Sequence, residues 1–198
     1  MLAAVITAKD IENAVVDIKK ADNADLVELR LDYLREMELS KLNMMVKRCK
    51  KPVIVTNRKK DEGGFFNGDE DERIQLLTKA LEFGADYIDI EYSSDKKQLK
   101  KIIKNRQYTK MIVSYHNLKE TPDNISVVYK NIKKLNPDII KIVTDANSVT
   151  DNFKIFNLIK TANKEKKGII AFCTGSYGQF SSTPQREKAR NLHQGSLQ

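Results

Sequence analysis

The sequence is poor in the residue types that build disulfide scaffolds, thiolate metal sites and membrane spans. Its 198 residues include no tryptophan, two cysteines and two histidines. Cys49 and Cys173 lack the spacing of a metal-ligating pair, so both are expected to be reduced thiols in a cytoplasmic protein. No apolar run approaches the ~18 residues of a membrane span. The opening stretch 1–7 is too short for the apolar region of a signal peptide and is expected to form a strand.

Glycine is also missing where a nucleotide-binding sheet would need it. The chain has eight glycines and four prolines. No Gly-x-Gly-x-x-Gly motif follows the first expected strand. Because that motif lets the backbone approach a pyrophosphate, its absence counts against a dinucleotide-binding sheet.

Positive charge is abundant, but it is spread along the chain. Lysine and arginine number 35 against 27 aspartates and glutamates, which gives a formal net charge of +8. The lysine-rich stretches 47–51, 96–104 and 164–167 fall on expected outer helix faces and turns, without an aromatic-rich basic segment. This distribution is typical of a solvated surface, so no nucleic acid is expected as a partner. Because the chain has no long apolar run, no membrane is expected as a partner either.

Strand-like and helix-like segments alternate along the chain. Seven expected strands are each followed, except the last, by an expected helix, at a spacing of about 25 to 35 residues. The repeat predicts a single α/β domain over residues 1–198, with a (β/α)8 TIM-type barrel favoured over an open doubly wound sheet. No apolar strand follows Gly178, so the eighth βα unit is missing or unrecognisable. The expected strands are 2–7, 25–32, 52–57, 87–91, 111–115, 139–144 and 168–173, and the expected helices are 9–21, 41–49 with Ser40 as N-cap, 69–83, 95–105, 122–135 and 149–164.

Charged residues alternate with leucines at the end of the second expected strand, in Glu28-Leu-Arg30-Leu-Asp32. The two-residue period of a strand places the three charges on one face. Because active sites of βα barrels lie at the C-terminal ends of the strands, these side chains are expected to point inward as a hydrogen-bonded ion-pair network. A purely structural salt-bridge cluster would give the same pattern.

A short motif follows the third expected strand, which ends at Arg58. Glu62 comes next, directly before Gly63 and Gly64. The arginine fork suits a hydroxyl or a carboxylate, and two glycines allow a tight turn or close approach to a ligand. A charged surface loop would look similar.

One lysine, Lys141, interrupts the apolar sixth strand. An amine among apolar residues loses proton affinity and becomes a nucleophile near neutral pH, as Schiff-base chemistry requires. The alternative is a lysine that extends to the surface. His116 ends the preceding strand, where a general base would stand, although it could be a structural histidine.

The ordered motifs resemble those of a known family. They are Glu28-Leu-Arg-Leu-Asp32, Arg58 with Glu62-Gly-Gly64, Ser114-Tyr-His116, Lys141-Ile-Val and Gly175-x-x-Gly178. In order and spacing they resemble type I 3-dehydroquinate dehydratase, the Schiff-base dehydratase of the shikimate pathway, over residues 1–181. The resemblance implies a (β/α)8 barrel, usually a homodimer, that acts on 3-dehydroquinate without a metal or organic cofactor.

The resemblance also implies roles for six residues. Lys141 would form an imine with the C3 ketone of 3-dehydroquinate. His116 would remove the C2 proton and then protonate the departing C1 hydroxyl, and Glu62 would orient His116. The ring hydroxyls would be bound by Glu28, Arg30 and Arg58.

The C-terminal part departs from the family pattern. Serine stands at positions 181 and 182, where the family has a Ser-Arg pair whose arginine binds the substrate carboxylate. Ser182-Thr-Pro-Gln185 resembles the family's lid loop only faintly, and residues 182–198 form an atypical tail. Two alternatives therefore stay open: an impaired or truncated copy that binds a metabolite, and another Schiff-base barrel enzyme such as a class I aldolase.

Overall fold

The structure, a computed structural model, describes residues 2–179 and Ser181. The chain forms two compact units, an N-terminal unit, Leu2–Ile112, and a C-terminal unit from Val113 onward. The expectation of one domain stays a prediction. The expected tail 182–198, including the lid-like segment and any eighth βα unit, lies outside the described residues.

Strands and helices alternate as the sequence predicts. All seven expected strands and six expected helices are present in the described part of the chain, and each begins and ends within three residues of its expected bounds. The strands are β1 (Ala3–Ile6), β2 (Leu26–Arg30), β3 (Val53–Thr56), β4 (Tyr87–Glu91), β5 (Lys110–Asn117), β6 (Ile139–Asp145) and β7 (Gly168–Thr174). The helices are α1 (Ile11–Lys20), α2 (Leu39–Arg48), α3 (Glu70–Glu82), α4 (Lys96–Lys104), α5 (Ile125–Lys133) and α6 (Asp151–Lys164).

The N-terminal unit is built on parallel strands in sequence order. β1 pairs with β2, β2 with β3 and β3 with β4, all parallel. The β-branched run Val53–Val55 is buried on both sides, which is typical of a parallel strand covered by helices. Helix α3 packs on β3 and β4 and contributes Leu77 and Ala80, neither of which has exposed surface.

Aspartates fix the starts of three helices. Asp10, Asp69 and Asp95 are the N-caps of α1, α3 and α4, and each carboxylate accepts a hydrogen bond from a backbone N–H of the first turn. The second helix differs from the expectation. It begins at Leu39 with Glu38 at the N-cap position, so the prediction of Ser40 as N-cap is wrong. The Glu38 side chain makes no capping hydrogen bond. The packing of the buried Leu42 and Met45 stabilises α2 instead.

The C-terminal unit is built on a long parallel pair. β6 and β7 pair along seven residues, from Ile139 opposite Gly168 to Asp145 opposite Thr174. Ile140 and Ile142 have no exposed surface, and α6 packs on β7 while α5 packs on β6. Among the described residues, no helix is long and apolar enough to cross a membrane.

Candidate active site

Glu28 and Arg30 of β2 alternate with the buried Leu29 as predicted, but the strand ends at Arg30, so Asp32 lies in the 3-10 turn Leu31–Tyr33 and not on the strand. Leu29 and Leu31 are buried, whereas Glu28 and Arg30 are half-buried on the other face. Arg30 donates to both carboxylate oxygens of Asp32, from Nε to Oδ1 at 2.9 Å and from Nη2 to Oδ2 at 2.7 Å. The structure thus confirms the Arg30–Asp32 part of the predicted ion-pair network. Burial lowers the pKa of the Arg30 guanidinium, but its bonds to Asp32 outweigh burial and the net shift is upward.

Asp32 also holds the loop after β3. Its Oδ2 accepts a hydrogen bond from the backbone N–H of Phe65 at 3.1 Å. The Phe65 ring meets Tyr33 edge-on at 4.6 Å, and the Arg30 guanidinium lies 4.9 Å from the centre of the Tyr33 ring. A single carboxylate with no exposed surface thus fixes both Arg30 and the glycine-containing loop. Glu28 has a separate partner, since its Oε1 accepts from the hydroxyl of Thr56 at 2.8 Å.

Arg58 lies in a buried charge cluster that the sequence analysis did not foresee. Its side chain is 3% exposed. Its Nη2 contacts Asp89 Oδ2 at 2.7 Å, and its Nη1 contacts Glu91 Oε1 at 3.2 Å. Burial lowers the pKa of the Arg58 guanidinium, but the attraction of the two carboxylates outweighs burial and the net shift is upward. Arg58 is therefore a permanent cation at the end of β3.

The turn after Arg58 places Glu62 by close backbone packing. Gly63 adopts φ +78°, a left-handed conformation that favours glycine. A Cβ on Gly64 would lie 2.0 Å from the carbonyl oxygen of Arg58, so the two segments touch backbone to backbone. Glu62 is 8% exposed, and its Oε1 accepts a hydrogen bond from the hydroxyl of Ser93 at 2.6 Å. The two glycines are therefore explained by a tight turn at Gly63 and a close backbone approach at Gly64.

Lys141 lies in β6 as predicted, in the C-terminal unit. It is half-buried between Ile140 and Ile142, which point to the other face and have no exposed surface. In the parallel register it stands opposite Ile170 of β7. The amine is thus carried by an apolar strand rather than by a surface helix.

His116 is the seventh residue of β5, so the strand runs past the bound expected from the sequence. It is half-buried, and Ser114, two residues earlier, has no exposed surface. Asn117 ends the strand, because its side-chain oxygen accepts hydrogen bonds from the backbone N–H groups of Lys119 and Glu120.

The Gly175-x-x-Gly178 motif is a tight turn at the end of β7. Gly175 has φ +79°, and a Cβ there would meet the Asp145 carboxylate at 2.6 Å. Gly178 allows a still closer approach, because a Cβ there would lie 2.1 Å from the carbonyl oxygen of Thr174. Ser181, where the resemblance leads one to expect the Ser-Arg pair, donates from Oγ to Gly178 O and accepts from Cys173 N.

Sequence reasoning missed four polar residues of the N-terminal unit that lie near Arg58 and Glu62. Asp89 and Glu91 alternate with Ile88 and Ile90 on β4, which is the same two-residue signal as in β2 and could have identified both acids. Ser93 follows that strand as an inconspicuous turn residue. Arg73 lies in an acidic stretch of α3 that resembles a solvated helix face. The missed residues are Arg73, Asp89, Glu91 and Ser93.

The described residues contain no group of three or more histidine, cysteine, aspartate or glutamate side chains able to hold a metal ion. The expectation that the protein needs no cofactor stays a prediction. The N-terminal unit carries the carboxylates and guanidinium groups described above, and the C-terminal unit carries the imidazole of His116 and the amine of Lys141. Groups of these types suit proton transfer and imine chemistry.

Parallel strands that alternate with helices and carry charged side chains toward their C-terminal ends define an α/β enzyme of the TIM-barrel class. The model of the type I 3-dehydroquinase family matches residues 2–185. The chain therefore belongs to the type I 3-dehydroquinase family.

Individual relatives agree with the family match. The chain is 39% identical to a 3-dehydroquinate dehydratase from Pyrococcus abyssi, over 91% of this chain and 81% of the relative. It is 40% identical to a 3-dehydroquinate dehydratase from Dehalococcoides mccartyi, over 83% of this chain and 72% of the relative. A solved 3-dehydroquinate dehydratase from Enterococcus faecalis superimposes with a TM-score of 0.83 at 22% identity, covering 90% of this chain and 81% of that one. The prediction of a TIM-type α/β fold is confirmed.

Proposed function

We propose that this protein is a hydro-lyase that converts 3-dehydroquinate to 3-dehydroshikimate and water through a lysine Schiff base, in the shikimate pathway of aromatic amino acid biosynthesis. The observation that carries the proposal is Lys141, which stands among the apolar residues of the stretch 139–143 in β6, in a chain that matches the family over residues 2–185. The reaction needs an amine nucleophile and a proton carrier on rigid elements, and β6 and β5 supply them.

The covalent step belongs to Lys141. Its Nζ adds to the C3 carbonyl of 3-dehydroquinate, and loss of water leaves an iminium. The iminium withdraws electrons from C2 and so acidifies the proton there. After elimination, a water molecule hydrolyses the imine, which releases 3-dehydroshikimate and restores the amine. The net change is the loss of one water molecule from the substrate.

The proton transfers belong to His116. The imidazole takes the proton from C2 and passes it to the departing C1 hydroxyl, which leaves as water. Placement within β5 supports this role, because a strand holds a side chain more rigidly than a loop does. Glu62 is assigned the orientation of the imidazole, and its own carboxylate is held by Ser93.

Substrate binding is assigned to Glu28, Arg30 and Arg58. Glu28 and Arg30 are half-buried and share one face of β2, which supports contact with ring hydroxyls. Arg58 is assigned both a share of that binding and the placement of the neighbouring groups. Its bonds to Asp89 and Glu91 support the second role.

The proposal is tested by adding 3-dehydroquinate to the purified protein and following the absorbance of the conjugated enone in 3-dehydroshikimate. We expect turnover by the unaltered protein, none above background for Lys141→Ala, and a loss of about 10²–10⁴-fold in kcat for His116→Ala. Lys160→Ala, which removes an exposed lysine of α6, is the matched control and should keep full activity.

Two outcomes would contradict the proposal. One is a folded protein without turnover. Tight binding of 3-dehydroquinate in that case would favour a metabolite-binding copy. The other is a Lys141→Ala variant that retains activity.

The assembly and location of the enzyme are proposals of the same kind. A cytoplasmic homodimer is proposed because the resemblance implies a dimer and because Cys49 and Cys173 are both free thiols. Light scattering should then give twice the mass of the monomer, and cell fractionation should place the protein with cytoplasmic markers. A monomeric mass would contradict the dimer.

A further inference from the structure

Arg73 of α3 has no exposed surface, and all three of its guanidinium nitrogens are engaged. Nη1 contacts Glu91 Oε2 at 2.5 Å and the carbonyl oxygen of Asn57 at 3.0 Å. Nη2 donates to Ser94 Oγ at 2.7 Å. Glu70, three residues earlier in α3, accepts hydrogen bonds from Nε at 2.9 Å and from Nη2 at 3.0 Å. The side chain therefore joins α3 to the ends of β3 and β4.

Glu91 is shared between two arginines. Its Oε2 faces Arg73, whereas its Oε1 accepts from Arg58 Nη1 at 3.2 Å and from the backbone N–H of Lys59 at 3.2 Å. Asp89 then binds the second terminal nitrogen of Arg58. Acid and base alternate through the cluster in the order Asp89, Arg58, Glu91, Arg73, Glu70.

We propose that Arg73 is a positioning residue for Arg58, acting through Glu91. The inference rests on the proposed function, since it assumes that Arg58 contributes to binding of the substrate. Arg73 touches both the carboxylate that binds Arg58 and the backbone carbonyl of the residue before it. It therefore fixes the direction in which Arg58 leaves β3 and the acceptor toward which it points.

The consequence of losing Arg73 follows from the geometry of Glu91. Without Arg73, Oε2 of this buried carboxylate loses its arginine partner, and an uncompensated buried charge is strongly unfavourable, which favours a move toward another cation. The nearest cation is Arg58, whose planar fork binds a carboxylate through two nitrogens. Rotation of Glu91 toward both terminal nitrogens of Arg58 would draw the guanidinium away from Asp89. The binding group would then be misplaced while the strand stayed intact.

A double-mutant cycle separates this role from simple stabilisation of the fold. We expect Arg73→Met to lower kcat/KM for 3-dehydroquinate by about tenfold or more, mainly through a higher KM. In an Arg58→Lys background, which keeps the charge but loses the fork, the same change should cost about twofold or less, because the group that Arg73 positions is already gone.

Milder variants keep the proposal testable if Arg73→Met does not fold. Arg73→Lys retains the charge beside Glu91 and should recover part of the loss. Glu70→Gln weakens the bonds from Glu70 to Arg73 Nε and Nη2 but leaves Arg73 in place. It should raise KM modestly when Arg58 is present and leave KM unchanged in the Arg58→Lys background. Tyr129→Phe is the control, because it removes a buried hydroxyl bonded to Glu165 and should lower thermal stability with unchanged kinetics.

The outcomes are distinguishable. The positioning role would be overturned if a variant lowered kcat/KM equally in the wild-type and Arg58→Lys backgrounds, because the two sites would then be independent. This holds for Arg73→Met, Arg73→Lys and Glu70→Gln. The proposed function would stay intact. Absence of turnover by the unaltered protein would overturn the proposed function and this inference together.

Discussion

At the scale of single residues, the most demanding feature is a pair of acids buried in a strand. Asp89 and Glu91 have no exposed surface, and Ile88 and Ile90 beside them are equally buried. A buried charge is costly unless it is paired, and here two arginines supply the pairing. Burial still raises the pKa of Glu91, with Arg58 and Arg73 opposing the shift. Because the desolvation of buried charges costs stability, the presence of these acids favours a functional role for them.

Asp32 offers a residue-scale prediction, because one carboxylate holds both Arg30 and the backbone of Phe65. In Asp32→Asn the charge is lost while one acceptor remains. We expect the free energy of unfolding to fall by about 1.5–3 kcal/mol, the usual range for a hydrogen bond to a charged group. Because Arg30 is proposed to bind the substrate, KM should rise more than kcat falls.

Denaturant unfolding and steady-state kinetics measure the two effects of this substitution. The control is Asp17→Asn, whose partner Lys20 lies 3.5 Å away on the exposed face of α1. Exposed pairs of this kind contribute little, so neither quantity should change measurably. Wild-type kinetics for Asp32→Asn would contradict the role given to the Arg30–Asp32 pair.

At the scale of elements, the segment from Arg58 to Phe66 depends on one close backbone approach. A Cβ at Gly64 would lie 2.0 Å from Arg58 O and 2.5 Å from Arg58 Cβ. At Gly68 the nearest atoms are instead the far ends of two side chains, Glu72 Oε2 at 2.6 Å and Phe66 Cζ at 2.7 Å. Side-chain ends can move aside, whereas a packed backbone cannot.

Gly64→Ala and Gly68→Ala therefore form a matched pair. We expect Gly64→Ala to destabilise the protein by about 1–3 kcal/mol, as overpacking does. It should also lower kcat, since Glu62 is carried by the same turn and is proposed to orient His116. Gly68→Ala should have a smaller effect on both. Thermal unfolding and enzyme kinetics check the comparison, and equal effects from the two substitutions would count against the close approach.

The sequence predicted elements well where pattern and packing agree. The strand β4 has the expected bounds, because its apolar alternation coincides with the paired segment. The start of α2 was missed, because a serine suitable for capping lies inside the first turn and the buried residues set the helix instead. Strand β5 extends to Asn117, two residues past its expected end, and its last three residues are only half-buried, so the apolar pattern does not mark them.

The candidate site was predictable where a residue breaks the pattern of its element. Lys141 in an apolar strand and Arg30 between two leucines are such cases. Arg73 gave no signal, because it follows Asp71 and Glu72 in a helix where a charged residue is ordinary. Its burial depends on the ends of β3 and β4, which lie far from it in the sequence. That contact is a property of the fold rather than of the local pattern.

At the scale of the whole molecule, the order of the motifs decides the family. Each motif alone has an ordinary structural explanation, as a salt bridge, a surface loop or a strand-end lysine. Together they occur in order, on or just after β2, β3, β5, β6 and β7, and the family model matches residues 2–185. The two curated relatives are covered to 81% and 72% of their lengths, so the relation extends over most of each enzyme.

The central claim is that Lys141 forms an imine with 3-dehydroquinate. The direct measurement is to incubate the protein with 3-dehydroquinate, add borohydride and map the labelled peptide by mass spectrometry. Hydride adds to the iminium carbon and converts the imine to a stable secondary amine. We predict a single ligand-sized adduct on Lys141, retained in Lys160→Ala and lost in Lys141→Ala. A folded sample without an adduct, or with the adduct on another lysine, would contradict the claim.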